Sequence, residues 1–130
     1  MNAKRLIRDE RGQTMAEFAI VLPILVVCLF GIVQFGILFN NYLTLTDAVR
    51  AGAREAAVVR DSADPAGAAT AAVRSSASSL DQSHLAVGVT SGWQPGSDVT
   101  VTASYPYAVS LLGWVVASGS LTSQTTERVE

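Results

Sequence analysis

The segment from Phe18 to Phe39 constrains this chain more than any other, because every side chain in it is apolar except Pro23, Gln34 and two glycines. About 20 such residues suffice for a helix to cross the ~30 Å hydrocarbon core of a bilayer. Lys4, Arg5, Arg8 and Arg11 outweigh Asp9 and Glu10 just before the run, and no basic residue follows it between Asn40 and Val49. Basic residues are retained on the cytoplasmic side, so the pattern predicts an N-terminus inside and the remainder of the chain outside the inner membrane. A secretory signal peptide fits poorly. Its apolar region is usually 7–15 residues long and ends near a small-residue cleavage site, whereas Ala51-Gly52-Ala53 lies well beyond Phe39.

At the cytoplasmic edge of the run stand Gly12 and, five residues later, Glu17. A carboxylate costs up to ~3 kcal/mol at mid-bilayer and less towards an interface, so an acidic residue kept there asks for a function and a partner. A plain uncleaved signal anchor accounts for the basic flank and the apolar run but for neither Gly12 nor Glu17.

Arg11-Gly-Gln-Thr-Met-Ala-Glu-Phe18 resembles the prepilin-type leader junction of the type IV pilin superfamily. More narrowly, segments 11–19, 30–36 (Phe-Gly-Ile-Val-Gln-Phe-Gly) and 48–54 (Ala-Val-Arg-Ala-Gly-Ala-Arg) resemble the TadE-like family of tight-adherence (Tad/Flp) pilus pseudopilins. The resemblance implies a basic leader over residues 1–12 and cleavage between Gly12 and Gln13 by a prepilin peptidase. It also implies an acidic-aromatic pair, Glu17 and Phe18, that acts in assembly. Gln13 would be the first mature residue, where major type IV pilins usually carry phenylalanine. The partners implied are other pilin-like subunits and Tad secretion platform proteins, in the inner membrane or a cell-surface pilus. No cofactor is implied.

After Phe39 the chain becomes amphipathic without a breaker. Leu45, Val49, Ala53 and Ala56 fall on one face by three- and four-residue steps. Ala48, Gly52 and Ala56 form a row small enough for close helix contact, while Arg50, Arg54 and Glu55 point elsewhere. Arg50 and Arg54 are like charges four apart and slightly destabilising alone; a solvated face is the default reading, and an acidic surface facing them would also explain the pair. The helix should stop near Arg60, giving residues 13–60 a rod of ~70 Å at 1.5 Å per residue. Pro23 inside it predicts a bend. Gln34 could reach water or a neighbouring helix.

Residues 61–130 read as a small α+β region. Asp64-Pro65 provides an N-cap and first helical position for a short helix reaching Leu80, with Val73 and Leu80 on its packing side. Periodicity then changes to two: Leu85, Val87 and Val89 alternate, as do Val99, Val101 and Ala103. Gly92-Trp-Gln-Pro-Gly96 separates them as a turn. Tyr105-Pro106-Tyr107 should end the second strand, since proline cannot continue a central ladder. Residues 108–117 are apolar but too short for a second span. They read as a loop or short helix that packs on the rod or serves as a docking surface. Residues 119–130 read as a third strand. The expected fold is therefore α+β: a long transmembrane helix continuing outside, a short second helix and a small three-stranded antiparallel sheet. About 70 residues beyond the rod are marginal for an independent core, so packing onto the rod should help hold it.

An active site has little material. His84 is alone, Cys28 is the only cysteine, and the serines at 75, 76, 78 and 79 have no base in sequence reach. No metal site and no enzyme activity are expected. A formal net charge of −2 speaks against nucleic acid as a partner. The rival readings are an uncleaved single-pass membrane-anchored extracytoplasmic binding module and, further off, a tethered enzyme.

Overall fold

A computed structural model describes residues 10–130; most of the basic leader expected over residues 1–12 lies outside them. Helix α1 runs unbroken from Glu10 to Val58, through Pro23. It is followed by α2 (Pro65–Ser76), β1 (Ala86–Ser91), β2 (Asp98–Leu111) and β3 (Trp114–Arg128). The three strands form one antiparallel sheet in the order β1-β2-β3. This is the α+β arrangement the periodicities predict.

The core lies where the second half of α1 meets α2 and one face of the sheet. Leu45, Ala48, Val49, Ala53 and Ala56 of α1 are fully buried in it. They meet Ala69 and Val73 from α2, Leu80 and Leu85 from the connection after it, and Val99, Val101 and Ala103 from β2. The small-residue row has the purpose its spacing suggests. A Cβ built on Gly52 would run into Val73 Cγ2 and stand 3.1 Å from the Ala69 carbonyl oxygen. Only the smallest side chain lets α1 and α2 approach this closely. The rod is thus one wall of the small region's core.

α2 begins as predicted. Asp64 Oδ1 accepts a hydrogen bond from the Gly67 amide at 2.8 Å, with Pro65 in the first turn. It ends at Ser76, before Leu80, but both Val73 and Leu80 are buried. Arg74 extends from its last turn to the carbonyl oxygens of Gln82 (3.0 Å) and Leu85 (3.3 Å), tying the helix end to the entry of β1.

Two expectations about the sheet need correction. β2 does not stop at Tyr105-Pro106-Tyr107 but continues to Leu111, with Pro106 opposite Ser120 of β3. The reason is the length of β1, whose pairing with β2 ends at Ala86 opposite Ser104. Beyond that point β2 has a neighbour on one side only, and proline is tolerated where its nitrogen can face an open edge. Residues 108–117 are neither loop nor helix. They are the end of a β2–β3 hairpin that turns over Leu112 and Gly113. Both residues have positive φ, 50° and 87°, as a two-residue type I′ hairpin requires; glycine takes that conformation freely and leucine does not.

The closing strand brings the C-terminus back to the rod. The Val129 amide donates to the Ser97 carbonyl at 2.8 Å, and the Glu130 amide donates to the Ala57 carbonyl at 3.1 Å. β2 therefore starts level with the last turn of α1 and runs back along the helix towards its N-terminal half. Tyr105 to Val109 line a cleft of about 190 Å³ together with Gln34, Ile37, Leu38 and Asn41 of α1.

Candidate membrane and assembly interface

The N-terminal half of α1 is bare. From Gly12 to Val33 no side chain is buried or half-buried, although most of those from Phe18 onwards are large and apolar. α1 is the one helix among the described residues long and apolar enough to cross a membrane. Ordinary amphipathic helices bury one stripe, and a helix apolar all round needs a surrounding apolar medium. Phe35 and Phe39 stack one turn apart, with ring centroids 6.2 Å apart. Cys28 is a free thiol on the exposed surface of the same stretch. Gln34, half-buried, opens the stripe of α1 that the sheet covers.

At the head of this bare half lie the four residues singled out in the sequence. Gly12, Gln13, Glu17 and Phe18 are all exposed and all helical. Gln13 Nε2 donates to Glu17 Oε1 at 3.1 Å across one turn. Thus the carboxylate of Glu17 is met by the side chain of the residue that would become the mature N-terminus. Phe18 is 58% exposed and touches no core. The peptide bond between Gly12 and Gln13 is inside regular helix, so a peptidase cutting there would have to unwind the first turns. Helix ends open at little cost.

A second polar feature lies at the other end. Asp47, Arg50 and Arg54 of α1 line an open cleft of about 450 Å³ with Thr125 and Glu127 of β3. Arg50 Nη1 stands 3.8 Å from Asp47 Oδ1, both side chains being well exposed. Arg50 thus has a carboxylate of its own chain nearby, and Arg54 lines the same cleft as Glu127. Exposed pairs of this kind contribute ~0–1 kcal/mol. Sequence spacing could reveal Asp47 but not Glu127, which arrives by strand pairing.

His84 belongs to a surface turn. Its Nδ1 is 3.1 Å from Asp81 Oδ2, and the Ser83 hydroxyl donates to Asp81 Oδ1 at 2.6 Å. That hydroxyl, then the Ser83 backbone amide, hold the exposed Asp81 carboxyl below its ordinary range against a small opposing effect of burial; His84 adds to the lowering. Ser75 donates to the carbonyl of its own helix at Ala72. Among the described residues no three His, Cys, Asp or Glu side chains converge as metal ligands would.

Residues 12–54 match the family model described as TadE-like protein. No curated protein and no solved structure matches the chain. The matched segment takes in the bare half of α1 and Ala48 and Gly52 of its small-residue row, and stops before α2 and the sheet. A TadE-like segment implies a Tad pilus-associated, pilin-like protein, of a kind that is generally structural and not enzymatic.

Proposed function

From the TadE-like character of residues 12–54, we propose that this chain is a pseudopilin or minor pilin of Tad-type pilus biogenesis that acts by protein–protein assembly after leader cleavage. The observation that carries the proposal is the bare apolar half of α1 headed by Gly12, Gln13 and Glu17. A prepilin peptidase cuts between Gly12 and Gln13. The helix crosses the inner membrane once, with the leader in the cytoplasm and α2 and the sheet outside, in accord with the basic cluster before the run. Other pilin-like subunits and the Tad secretion platform are its partners, in the membrane and then in the pilus.

Glu17 acts in assembly and not in cleavage. Cutting creates an α-amine at Gln13, a cationic group of the kind that pairs with a carboxylate such as that of Glu17. In the uncut chain Glu17 has the Gln13 amide as its neighbour. In the assembly it pairs with the new amine of an adjacent subunit, and Phe18 packs beside that contact. Desolvation offsets much of the attraction. The pair therefore sets register more than it adds stability, because a register that leaves either charge alone in an apolar setting is strongly disfavoured.

Mass spectrometry of the protein from a host that has the peptidase tests the first step. The expected N-terminus is Gln13, and Gly12→Leu should leave a species heavier by the leader. A wild-type protein that keeps Met1 favours the uncleaved membrane-anchored binding module instead. Glu17→Ala should be processed normally yet recover fewer pilin-like subunits on co-purification. Unchanged recovery would remove the assembly role.

A further inference from the structure

The two edges of the sheet are built differently. On one side stands β1, six residues long, and beyond its end at Ala86 the freed edge of β2 holds Pro106. Short edge strands and edge prolines discourage further pairing. On the other side stands β3, fifteen residues from Trp114 to Arg128. It has no proline, and no charge before Glu127. Its only neighbour in the sheet is β2, so its outer row of backbone N–H and C=O groups meets no strand. The one irregularity in its pairing, opposite Val109 and Ser110, is at the hairpin end. From Ala117 to Glu127 the ladder is regular and the outer edge is open.

A wall of α1 stands beside this edge. Thr125 and Glu127 share their cleft with Asp47, Arg50 and Arg54. Arg50 has only its exposed 3.8 Å contact with Asp47, and among the described residues neither Arg54 nor Glu127 has an ion-pair partner. Two turns before Arg50 the same face of α1 carries Leu43, 47% exposed. Tyr105, which pairs with Leu121, shares a cleft with Asn41, so Leu121 is about level with Leu43. Leu43 lies ~13 Å below the midpoint of Arg50 and Arg54 at 1.5 Å per residue. Leu121 lies ~13 Å below Thr125 at ~3.3 Å per residue. Helix wall and strand edge thus keep step, with an apolar level and a cationic level about four strand residues apart.

We propose that the β3 edge accepts an added antiparallel strand from another protein, an extended segment with a carboxylate and, four residues later, an apolar side chain. Main-chain hydrogen bonds supply the affinity, and alternate side chains supply the choice. Residues four apart in a strand fall on one face, here the face towards α1. The carboxylate meets Arg50 and Arg54 and relieves their like-charge pairing. The apolar side chain covers Leu43 and Leu121. A second copy fits worse. Two β3 edges pair antiparallel about a two-fold axis, which sets their α1 helices antiparallel, whereas helices of the single-pass orientation proposed above are parallel in one membrane; this step rests on that reading. The β1 edge of a second copy would set six residues against fifteen, and it carries no carboxylate for the arginines.

The test uses the full chain in detergent micelles and three synthetic peptides with blocked ends. The first, Thr-Glu-Thr-Val-Thr-Leu-Thr, carries the pattern. The second has lysine in place of glutamate, and the third is the first with its backbone amides N-methylated. Amide hydrogen exchange is followed from Ala117 to Glu127. The first peptide, at millimolar concentration, should slow exchange several-fold at alternate amides of this stretch, because only every second N–H points to the outer edge, and should leave β1 unchanged. The lysine and N-methyl peptides should slow nothing. Arg50→Glu combined with Arg54→Glu should exchange the preference between glutamate and lysine peptides; both side chains are exposed, and Trp93 emission checks that the fold is kept. No slowing by the first peptide, or equal slowing by the first two, overturns the proposal. Slowing that grows with the concentration of the chain alone means pairing with a second copy, which also overturns it. Leader cleavage is read separately by mass spectrometry, so failure here leaves the cut at Gly12 standing.

Discussion

The two halves of α1 are one continuous helix with opposite surroundings. From Phe18 to Val33 its side chains are mostly Leu, Ile, Val and Phe, and all are exposed. From Leu45 to Ala56 its inward side chains are Leu, Ala, Val and Gly, and all are buried. The difference is a matter of size as much as of polarity. Large side chains on every face suit a fluid medium that adapts to them. A row of small ones suits a fixed neighbour whose backbone must come close, here the Ala69 carbonyl and Val73 of α2. The TadE-like match over residues 12–54 covers the exposed half from Gly12 and the buried half as far as Arg54, so the matched unit is a membrane-type helix together with most of the surface that receives a domain.

The contrast can be broken by paired substitutions, read by chemical unfolding of the full chain in detergent with Trp93, which packs against the core, as reporter. Leu45→Ala should have the largest effect. Leu45 is fully buried, and such truncations cost ~2–5 kcal/mol. Leu29→Ala, in the bare half, should leave the unfolding midpoint of the sheet unchanged. Equal effects would mean that the two halves do not differ as described.

The glycines give a finer test because the sign is at stake. Helix propensity favours alanine over glycine by ~1 kcal/mol. At Gly36 nothing lies within 4 Å of an added Cβ, so Gly36→Ala should not destabilise. At Gly52 the methyl meets Val73 and the Ala69 carbonyl, and overpacking costs ~1–3 kcal/mol. Gly52→Ala should therefore lower stability despite its better propensity. A stabilised Gly52→Ala variant would show that α1 and α2 are less tightly packed than described above.

The smallest effect concerns the connection after α2, which links the packed half of the molecule to the sheet. Ser83 holds the folded-state pKa of Asp81 below its ordinary value of 3.8. A depressed carboxyl contributes stability that is present above the unfolded-state pKa and is lost as pH falls through the folded-state value. Asp81→Asn should flatten the acid limb of the stability-versus-pH curve, by lowering stability slightly at neutral pH and leaving it unchanged at low pH. An acid limb as steep in the variant as in the parent would show that Asp81 does not contribute to it.

Much of the molecule is legible in its sequence because the signals are local. The apolar run, the step to an amphipathic face at Leu45, and the cap at Asp64-Pro65 each depend on residues a turn or less apart. So does the alternation of Val99, Val101 and Ala103. Gly12, Gln13, Glu17 and Phe18 are likewise singled out by a local pattern, and the Gln13–Glu17 contact is an i,i+4 pair on a helix. The approach of Glu127 to Arg50 and Arg54 has no such signal, since it depends on where β3 lies on α1.

Pro106 and the hairpin end mark the boundary between the two kinds of information. The sequence by itself determined that a long apolar helix leads into an amphipathic one, that a capped short helix follows, and that three extended segments make a sheet. Periods of 3.6 and 2 are properties of neighbouring residues. Only the tertiary structure decided that β1 stops opposite Ser104, which frees one edge of β2 so that Pro106 can remain in the strand. It also decided that the hairpin, thus prolonged, carries Leu112 and Trp114 back along α1, uncovered by any part of the described chain. The lengths of paired strands are settled between distant segments, and no local pattern records them.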